Sequence, residues 1–337
     1  MIRVALLGYG LAGRVLHRPL LLAEPAFALT HVVTADPGRR AQVAADLPAA
    51  ALVATPAELW ARPQEFDVVV VATGGLTHAP LARVALRLGK AVVVDKPLAP
   101  TADEAASLLA EGGLLTVFQN RRWDSDTLTA RAQLAGGALG AVVRLESRFS
   151  RFRPTVADRW REDPAAGGGV LLDLGSHVVD QAVHLLGPAL SVYGEVDTRR
   201  AGGAADDDCF LALTHAGGAR SHLWCSMAAP WQGPRLVLQG TVGGWSKEGL
   251  DGQEDALRAE RPAGSLLVPE PDGLRWDLAG AHRVPSLPGD WPRFYREVAA
   301  AVSTGAPVPV LPSDAVHVLR VLEAARRSAV DGVVHAL

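Results

Sequence analysis

Short apolar runs alternate with longer amphipathic segments over the first 120 residues of the chain. The runs are mostly apolar, without regular alternation of polar residues, and they cover residues 4–7, 29–33, 66–72, 91–94 and 114–118. Strands of this kind are buried on both faces, as in a parallel sheet that is covered by helices on either side. The segments between the runs have helical periodicity. We therefore predict an α/β domain with a doubly wound parallel sheet over residues 1–119.

The pattern changes after residue 120, where apolar positions begin to alternate with polar ones. Segments that read as strands occupy residues 142–153, 189–197, 208–215, 219–227 and 234–242. A helix is predicted for residues 171–186, which follow a run of three glycines. These elements predict a second, α+β domain over residues 120–337, with a large, open and mostly antiparallel sheet.

Two later segments complete this second domain. Residues 246–290 are rich in glycine, proline and charge, and we predict a long irregular excursion there. Residues 313–330 are amphipathic and predict a final helix, with Ser313 as its N-cap.

A glycine-rich loop joins the first predicted strand to the first predicted helix. It reads Gly8-Tyr9-Gly10-Leu11-Ala12-Gly13, the GxGxxG pattern. In this context the first glycine permits a tight turn, the second lets a phosphate approach, and the third lets helix and strand pack closely. The helix N-terminus then binds a pyrophosphate. We predict a Rossmann dinucleotide-binding domain with cofactor contacts at Gly8, Gly10, Leu11, Ala12 and Gly13.

The residues after the second strand bear on the choice between NAD and NADP. An acid at this point binds the ribose diol of NAD, but the expected position holds Ala35, and Asp36 comes one residue late. Thr34 with Arg39 or Arg40 could instead hold a 2′-phosphate, because a planar guanidinium pairs with phosphate oxygens. We predict NADP in preference to NAD. A solvated helix start is the alternative interpretation of the two arginines.

Asp95-Lys96-Pro97 directly follows the fourth apolar run. In an open α/β sheet the carboxyl ends of the strands face the ligand crevice. The chain has only three lysines among its 33 basic residues (Lys90, Lys96 and Lys247), so a lysine at this edge is informative. Lys96 can donate to a substrate hydroxyl or polarise a carbonyl, whereas a surface lysine at a strand end is the alternative. We predict that Lys96 is catalytic.

The helix predicted over residues 171–186 carries Asp173, His177, Asp180 and His184. The spacings of four, three and four residues place these side chains on one face. Histidine titrates near neutrality, so His177 can take a hydroxyl proton as hydride leaves the same carbon. Asp173, one turn earlier, can orient the substrate or the imidazole. We predict that Asp173 and His177 are catalytic and His184 structural, and we leave Asp180 undecided.

Composition and charge argue against several other classes of protein. The net charge is −3 without a basic block, which disfavours nucleic-acid binding. No apolar stretch approaches the roughly 18 residues that span a bilayer, and the first residues run directly into the glycine loop, so we expect a cytoplasmic protein. Cys209 and Cys225 have no spacing for a disulfide framework or, with His215 and His222, for a metal site. Residues 206–208, three acids, predict a solvated turn.

Together, these motifs resemble the glucose–fructose oxidoreductase, inositol dehydrogenase and MocA family over nearly the whole chain. The matching residues are the glycine loop, Thr77-His78, Asp95-Lys96-Pro97 and residues 173–180. A closer resemblance is to the NADP-dependent scyllo-inositol dehydrogenase branch. The residues that carry it are Asn120-Arg121-Arg122-Trp123-Asp124, Arg151-Phe152-Arg153-Pro154, Arg159-Trp160-Arg161-Glu162 and residues 251–258.

The resemblance implies a Rossmann domain followed by an open-sheet domain, through which a homodimer or homotetramer forms. It implies a catalytic set of Lys96, Asp173 and His177. Further cofactor contacts are implied at Thr73, His78, Asp95 and Lys96. The substrate side of the cleft is implied to contain Asn120, Trp123, Arg153 and Trp160.

The chain departs from the family pattern in two places. Asp95 replaces the usual glutamate before the lysine, which keeps the carboxylate and removes one methylene. Asp36 stands where related dehydrogenases tend to carry an arginine for the 2′-phosphate, and this residue favours NAD.

We predict an enzyme that moves a hydride between nicotinamide and a hydroxyl carbon of a sugar or cyclitol, without a metal. One alternative is a glycosidase or epimerase that recycles its bound cofactor, and another is a non-catalytic sensor of a sugar or cofactor. An acidic sugar or a keto acid also stays open as the substrate, because of five arginines near the expected cleft, Arg121, Arg122, Arg151, Arg153 and Arg161.

Overall fold

The computed structural model describes residues 1–266, 268 and 270–337, and these divide into two compact units. The first unit comprises Met1–Asn120, Gln253–Val268 and Asp290–Val316. The second comprises Arg121–Gly252, Pro269–Gly289 and His317–Leu337. The sequence division placed every residue after 119 in the second domain. Two later segments belong instead to the first unit, an association over long sequence distances that local patterns cannot reveal.

The strands form two sheets, and we number them along the chain. Their bounds are β1 Ile2–Leu7, β2 Phe27–Val33, β3 Ala51–Val53, β4 Val68–Val71, β5 Ala91–Asp95, β6 Leu115–Phe118, β7 Val142–Ser150, β8 Ala189–Asp197, β9 Asp208–His215, β10 Arg220–Ser226, β11 Leu236–Gly240, β12 Gly244–Lys247, β13 Gly273–Asp277, β14 Gly280–Val284 and β15 His335–Ala336.

The helices are numbered in the same way. Their bounds are α1 Arg18–Ala23, α2 Pro37–Asp46, α3 Pro56–Trp60, α4 His78–Arg87, α5 Ala102–Leu109, α6 Ser125–Ala135, α7 Ser176–Leu186, α8 Gln253–Arg258, α9 Pro292–Thr304 and α10 Pro312–Asp331. Two π-helical segments, Ala12–His17 and Leu171–Gly175, lead directly into α1 and α7. Within the described ranges, none of the helices combines the length and the apolar character that a membrane span requires.

All strands of the first unit's sheet run parallel, in the order β3-β2-β1-β4-β5-β6. The four valines of β4 are fully buried, which explains why this run shows no alternation. The predicted doubly wound parallel sheet is confirmed. We did not predict β3, because an edge strand of three residues has too few positions to show a pattern. The strand order reverses between β1 and β4, where open α/β sheets bind their ligands.

The second unit contains a nine-stranded sheet in the order β14-β13-β12-β11-β7-β10-β9-β8-β15. Neighbouring strands are antiparallel except for β7 and β10, so the predicted open and mostly antiparallel sheet is confirmed. Alternate residues of β9 and β10, such as Leu211 and Leu223, are buried in one apolar cluster with residues of α7 and α10. The alternate positions between them carry half-exposed side chains, including Phe210 and Trp224.

Residues 246–290, which we predicted to be irregular, contain regular structure. The segment includes α8 and the hairpin formed by β13 and β14. The prediction was wrong because this hairpin lies at the edge of the sheet, where exposed strands carry polar residues and show no continuous apolar run. Leu267 and Pro269, which belong to the same segment, lie outside the described residues.

The last helix, α10, begins at Pro312, one position before the predicted N-cap. Proline suits the first turn of a helix, because the N–H group that it lacks would have no partner within the helix. Ser313 therefore lies inside α10 and does not cap it.

Candidate active site

The glycine loop has the geometry that a dinucleotide cradle requires. Gly8 has a φ of 94°, and a Cβ there would lie 2.5 Å from the carbonyl oxygen of Ala72. A Cβ at Gly13 would collide with the carbonyl oxygen of Gly8. At Gly10, by contrast, the nearest atoms are those of the Arg39 guanidinium, 3.8 Å away. Gly8 and Gly13 are thus needed for packing, and Gly10 leaves the open backbone that fits a pyrophosphate.

An arginine of α2 approaches the same loop. Asp36 is the N-cap of α2, and its Oδ1 accepts the backbone N–H of Arg39 at 2.8 Å. The Arg39 side chain is exposed, and its guanidinium is the group that faces Gly10. Arg40 donates instead to the carbonyl oxygen of Thr34 at 3.3 Å. One carboxylate oxygen of Asp36 thus caps α2, while the guanidinium of Arg39 lies beside the glycine loop.

Lys96 follows β5 at the carboxyl edge of the sheet. It is half-buried, and its peptide bond to Pro97 is cis. Asp95 Oδ1 accepts the backbone N–H of Lys96 at 3.0 Å. Burial raises the pKa of the Asp95 carboxyl, but interactions with neighbouring side chains outweigh burial and hold the pKa below its usual value. These side chains are, in order of effect, His17, His78 and Lys96.

His78 joins the loop after β4 to the turn after β5. Its Nδ1 lies 2.7 Å from the carbonyl oxygen of Pro97, and its Nε2 lies 3.2 Å from that of Thr73. The hydroxyl groups of Thr73 and Thr77 share a hydrogen bond of 2.7 Å. Thr73 and His78 are thus placed at the carboxyl edge of the sheet, next to the turn that carries Lys96.

A buried histidine that we did not predict lies behind this turn. His17 is fully buried, its Nδ1 lies 2.7 Å from the hydroxyl of Tyr295, and its Nε2 lies 3.8 Å from Asp95 Oδ1. A signal was available in the spacing. His17 comes four residues after Gly13, so it lies on the helical face that packs against the sheet.

In the second unit, Asp173 and His177 lie on one continuous helix. The π-helical segment Leu171–Gly175 runs into α7, so the helix predicted over residues 171–186 is confirmed. Gly187, with a φ of 83°, follows the last residue of α7 and ends the helix. Single π-helical turns inside helices occur frequently at functional sites.

The two predicted catalytic side chains of this helix are one turn apart. Asp173 is half-buried, and its Oδ2 accepts from Arg161 Nε at 3.2 Å. His177 is buried, and its ring centroid lies 6.2 Å from that of Phe149. The guanidinium of Arg121 covers the same phenyl ring at 4.6 Å. The helix therefore brings an ion-paired carboxylate and an imidazole into one region.

The start of this helix is held by an acid that we expected to be solvated. Asp206 Oδ2 accepts the backbone N–H of Leu171 at 2.7 Å, and a Cβ at Gly169 would overlap this carboxylate. Asp207 is fully buried and accepts from Arg200 at 2.8 Å. The prediction of a solvated turn was wrong, because a local run of acids does not reveal contacts with residues far away in the sequence.

A buried ion pair fixes the middle of the same helix. Asp180 accepts from Arg122 Nε at 2.9 Å and from its Nη2 at 2.6 Å, and both side chains are almost fully buried. The next residue, Gln181, accepts from Arg235 at 2.5 Å. Bidentate pairs of this kind fix orientation as well as contact. Asp180, which the sequence left undecided, orients the helix that carries His177.

The remaining predicted substrate residues fall into two groups. Asn120 and Trp123 are buried in a short turn after β6. Arg153 and Trp160 are exposed in the irregular segment after β7, where the Arg161 guanidinium lies 4.5 Å from the Trp160 ring. Asn120 and Lys96 belong to the first unit, whereas the other predicted substrate and catalytic residues belong to the second.

Comparison with known families assigns both parts of the chain. Residues 2–112 match the oxidoreductase family with an NAD-binding Rossmann fold, and residues 127–246 match the GFO/IDH/MocA C-terminal domain. The chain belongs to the GFO/IDH/MocA oxidoreductase family. It is an NAD(P)-binding oxidoreductase, as the resemblance predicted.

Individual relatives cover almost the whole chain. The uncharacterized oxidoreductase YdgJ of Escherichia coli is 38% identical over 97% of this chain and 96% of its own length. The scyllo-inositol 2-dehydrogenase (NADP(+)) IolW of Bacillus subtilis is 34% identical over 97% of this chain and 93% of its own length. A solved structure, the putative oxidoreductase yvaA from Bacillus subtilis, matches with a TM-score of 0.93 at 33% identity and covers 100% of this chain and 98% of that one.

We expect alanine at Gly10 and at Gly13 to act on different properties. Gly10→Ala adds a methyl group that meets no backbone atom, so the free protein should keep its unfolding temperature while its affinity for NADPH falls about tenfold or more. Gly13→Ala forces a methyl group onto the Gly8 carbonyl and should lower the unfolding temperature by at least several degrees. Thermal unfolding and a fluorescence titration with NADPH measure the two effects. Wild-type affinity in Gly10→Ala would show that the loop is not the cradle.

Proposed function

We propose that the protein is an NADP-dependent dehydrogenase or reductase that moves a hydride between nicotinamide and a hydroxyl-bearing carbon of a sugar or cyclitol. The observation that carries this proposal is the presence of Lys96 at the carboxyl edge of a Rossmann sheet together with Asp173 and His177 on an anchored helix. Two relatives support the substrate class. One is the scyllo-inositol 2-dehydrogenase of Bacillus subtilis, and the other, 33% identical over 49% of this chain, is named D-xylose 1-dehydrogenase (NADP(+)) 2 of Haloferax volcanii.

Each of the three side chains has a distinct task in this reaction. The bound dinucleotide supplies the hydride acceptor or donor. His177 takes the hydroxyl proton during oxidation and returns it during reduction. Lys96 donates to the same oxygen and stabilises the negative charge that develops there. Asp173, itself held by Arg161, orients the substrate.

The charges around the site helix favour an uncharged polyol over an acidic substrate. Three of the five arginines that left an acidic substrate open have carboxylate partners, in the pairs Arg121–Asp124, Arg122–Asp180 and Arg161–Asp173. A guanidinium that is already balanced by a carboxylate offers little net attraction to a second anion. This pairing supports a sugar or cyclitol as the substrate.

The residues after β2 favour NADP over NAD. The acid that selects NAD is expected at residue 35, but that position holds Ala35, and Asp36 comes one residue later, where its Oδ1 caps α2. The Arg39 guanidinium, beside Gly10, is suited to a 2′-phosphate because its planar fork pairs with phosphate oxygens.

We further propose a cytoplasmic homodimer or homotetramer that associates through the open face of the nine-stranded sheet. On this face the rings of Phe210 and Trp224 lie 5.1 Å apart, and the Arg148 guanidinium lies 4.0 Å from the Trp224 ring. Aromatic residues and arginine are enriched in interface cores. A reducing compartment agrees with Cys209 and Cys225, which face each other across β9 and β10 without a disulfide.

We expect His177→Ala to remove most of the turnover and to leave cofactor binding unchanged. Loss of a general base typically costs about a hundredfold to ten-thousandfold in kcat. The initial rate of NADP⁺ reduction with scyllo-inositol measures the loss, and a fluorescence titration with NADPH checks the affinity.

His184→Gln is the matched control on the same helix. Burial, together with repulsion from Arg122 and Arg131, lowers the pKa of His184 to about 3, so this imidazole is neutral at every ordinary assay pH. Its replacement should leave kcat and the pH dependence of kcat as they are in the wild type. Equal losses in both variants would contradict the assignment of His177 as the proton acceptor.

We expect Arg39→Ala to weaken NADPH binding about tenfold to a hundredfold, since a charge-assisted contact with the 2′-phosphate is lost. Binding of NADH should change little, because NADH lacks this phosphate. Arg40→Ala is the control, as its side chain is engaged with the Thr34 carbonyl. Fluorescence titrations with both nucleotides measure the four affinities, and a parallel loss for NADPH and NADH in Arg39→Ala would overturn the assignment.

We expect Trp224→Glu to dissociate the oligomer, because a charge would be buried at the centre of the proposed interface. Leu22→Glu serves as the control, since Leu22 is 56% exposed on α1 in the first unit, outside the nine-stranded sheet. Sedimentation velocity measures the mass in solution. A monomeric wild-type protein, or an unchanged mass in Trp224→Glu, would rule out this interface.

A further inference from the structure

A chain of buried polar groups lies behind the turn that carries Lys96. The hydroxyl of Tyr295, on α9, lies 2.7 Å from His17 Nδ1, and His17 Nε2 lies 3.8 Å from Asp95 Oδ1. The same carboxylate oxygen accepts the backbone N–H of Lys96 at 3.0 Å. The chain therefore connects a helix that is remote in the sequence with the residue that we propose to act on the substrate.

The burial of His17 requires an explanation, because two ring nitrogens are costly to bury. The imidazole is fully buried and packs against Phe118, with the ring centroids 4.3 Å apart. Among the described residues, Nε2 has no hydrogen-bond partner, yet it faces the Asp95 carboxylate. An apolar side chain would fill the same space more cheaply. A buried polar atom directed at this carboxylate therefore indicates a role in the site.

Tyr295 and Asp95 together favour one tautomer of His17. Burial, assisted by the negative charge of Asp95, raises the pKa of Tyr295 well above its usual value, so the phenol keeps its proton. A protonated phenol can donate or accept, but a carboxylate can only accept, so the Asp95 carboxylate that faces Nε2 favours the imidazole proton on Nε2. The Tyr295 hydroxyl then donates to Nδ1. An N–H group at Nε2 points towards Asp95 and stabilises its ionised form.

We propose that His17 and Tyr295 are positioning residues for the reaction, which orient the Asp95 carboxylate and, through it, the backbone and the amine of Lys96. This inference rests on the proposed function of Lys96. The titratable groups that face Asp95 are His17, His78, Lys96 and Tyr295. His78 is held independently by two backbone carbonyls, so it stays constant when His17 is changed.

Two substitutions separate the two nitrogens of His17. Glutamine places an amide N–H near the position of Nε2 and so keeps a donor for Asp95. Asparagine places its amide near the position of Nδ1, so it keeps an acceptor for the Tyr295 hydroxyl and loses the donor for Asp95. We expect His17→Gln to retain kcat within about threefold and His17→Asn to lose about tenfold or more. A merely structural histidine would make the two variants equivalent.

Tyr295→Phe is the second test, because it removes one hydroxyl and keeps the shape of a fully buried ring. Without the donor at Nδ1, the proton of His17 is no longer confined to Nε2. We expect kcat to fall in the same direction as in His17→Asn and by a smaller factor. This variant keeps the proposal testable if His17→Asn does not fold.

The lysine signals in nuclear magnetic resonance provide a readout without turnover. The chain has three lysines, so a sample labelled at lysine Cε gives three signals, which Lys→Arg variants assign. Lys90 and the fully buried Lys247 are internal controls. His17 is among the groups that lower the pKa of Asp95, so its loss should raise this pKa. Protonation of Asp95 at low pH should change the chemical shift of the neighbouring Lys96 Cε. The pH at which this change occurs should be higher in His17→Asn than in the wild type, and it should be unchanged in His17→Gln.

The two readouts distinguish a failure of this proposal from a failure of the proposed function. In the first outcome, the low-pH change of the Lys96 signal moves to higher pH in His17→Asn and not in His17→Gln, but the wild-type enzyme oxidises no polyol. The positioning role then stands and the proposed function fails. If the wild type turns over and Lys96→Arg does not, but His17→Asn matches the wild type in kcat and in the Lys96 titration, the positioning proposal is overturned. Equal effects of both His17 substitutions would also overturn it.

Discussion

There is no room for a side chain at residue 13, and this constraint sets how closely the first helix approaches the parallel sheet. A Cβ there would overlap the carbonyl oxygen of Gly8. In the same loop, the backbone at Gly10 is open, and the nearest atoms are those of the Arg39 guanidinium. One turn further along the same face, His17 is buried against Phe118 and Asp95. One close contact thus positions the glycine loop beside Arg39 and the buried histidine behind Lys96.

In the second unit, carboxylate groups and ion pairs hold the helix that carries Asp173 and His177 in place. The helix that carries His177 is held at its start by Asp206, on its exposed side by the pair of Asp173 with Arg161, and at its middle by the pair of Asp180 with Arg122. Removing one partner of a buried pair leaves an uncompensated charge, which is strongly destabilising. The arginines are therefore largely engaged in holding His177 in place, which is consistent with a neutral substrate.

The sequence predicts those features that depend on local pattern. The parallel strands appear as apolar runs, and the glycine loop, the lysine turn and the helix with Asp173 and His177 follow from spacing. The errors occur where distant residues decide the structure. Asp206 and Asp207 look like a solvated acidic run until their partners, Leu171 and Arg200, are known.

The same limitation explains the other misses. The hairpin of β13 and β14 is polar because it lies at a sheet edge. Two late segments belong to the first unit, and no local sequence pattern indicates this association. His17 is the instructive case. Its distance from Gly13 predicts burial, but only the fold brings it next to Asp95 and Tyr295.

The most direct test of the account is to follow one hydride from substrate to cofactor. The wild-type enzyme is incubated with NADP⁺ and with scyllo-inositol that is deuterated at every ring carbon, and the nicotinamide product and the cyclitol are analysed by mass spectrometry. The account predicts one deuterium in each NADPH released and an equal amount of the corresponding ketone. Conversion of a sugar without net reduction of the cofactor would indicate internal recycling, and binding of NADPH without turnover of any polyol would indicate a sensor. Either result would contradict the proposed dehydrogenase.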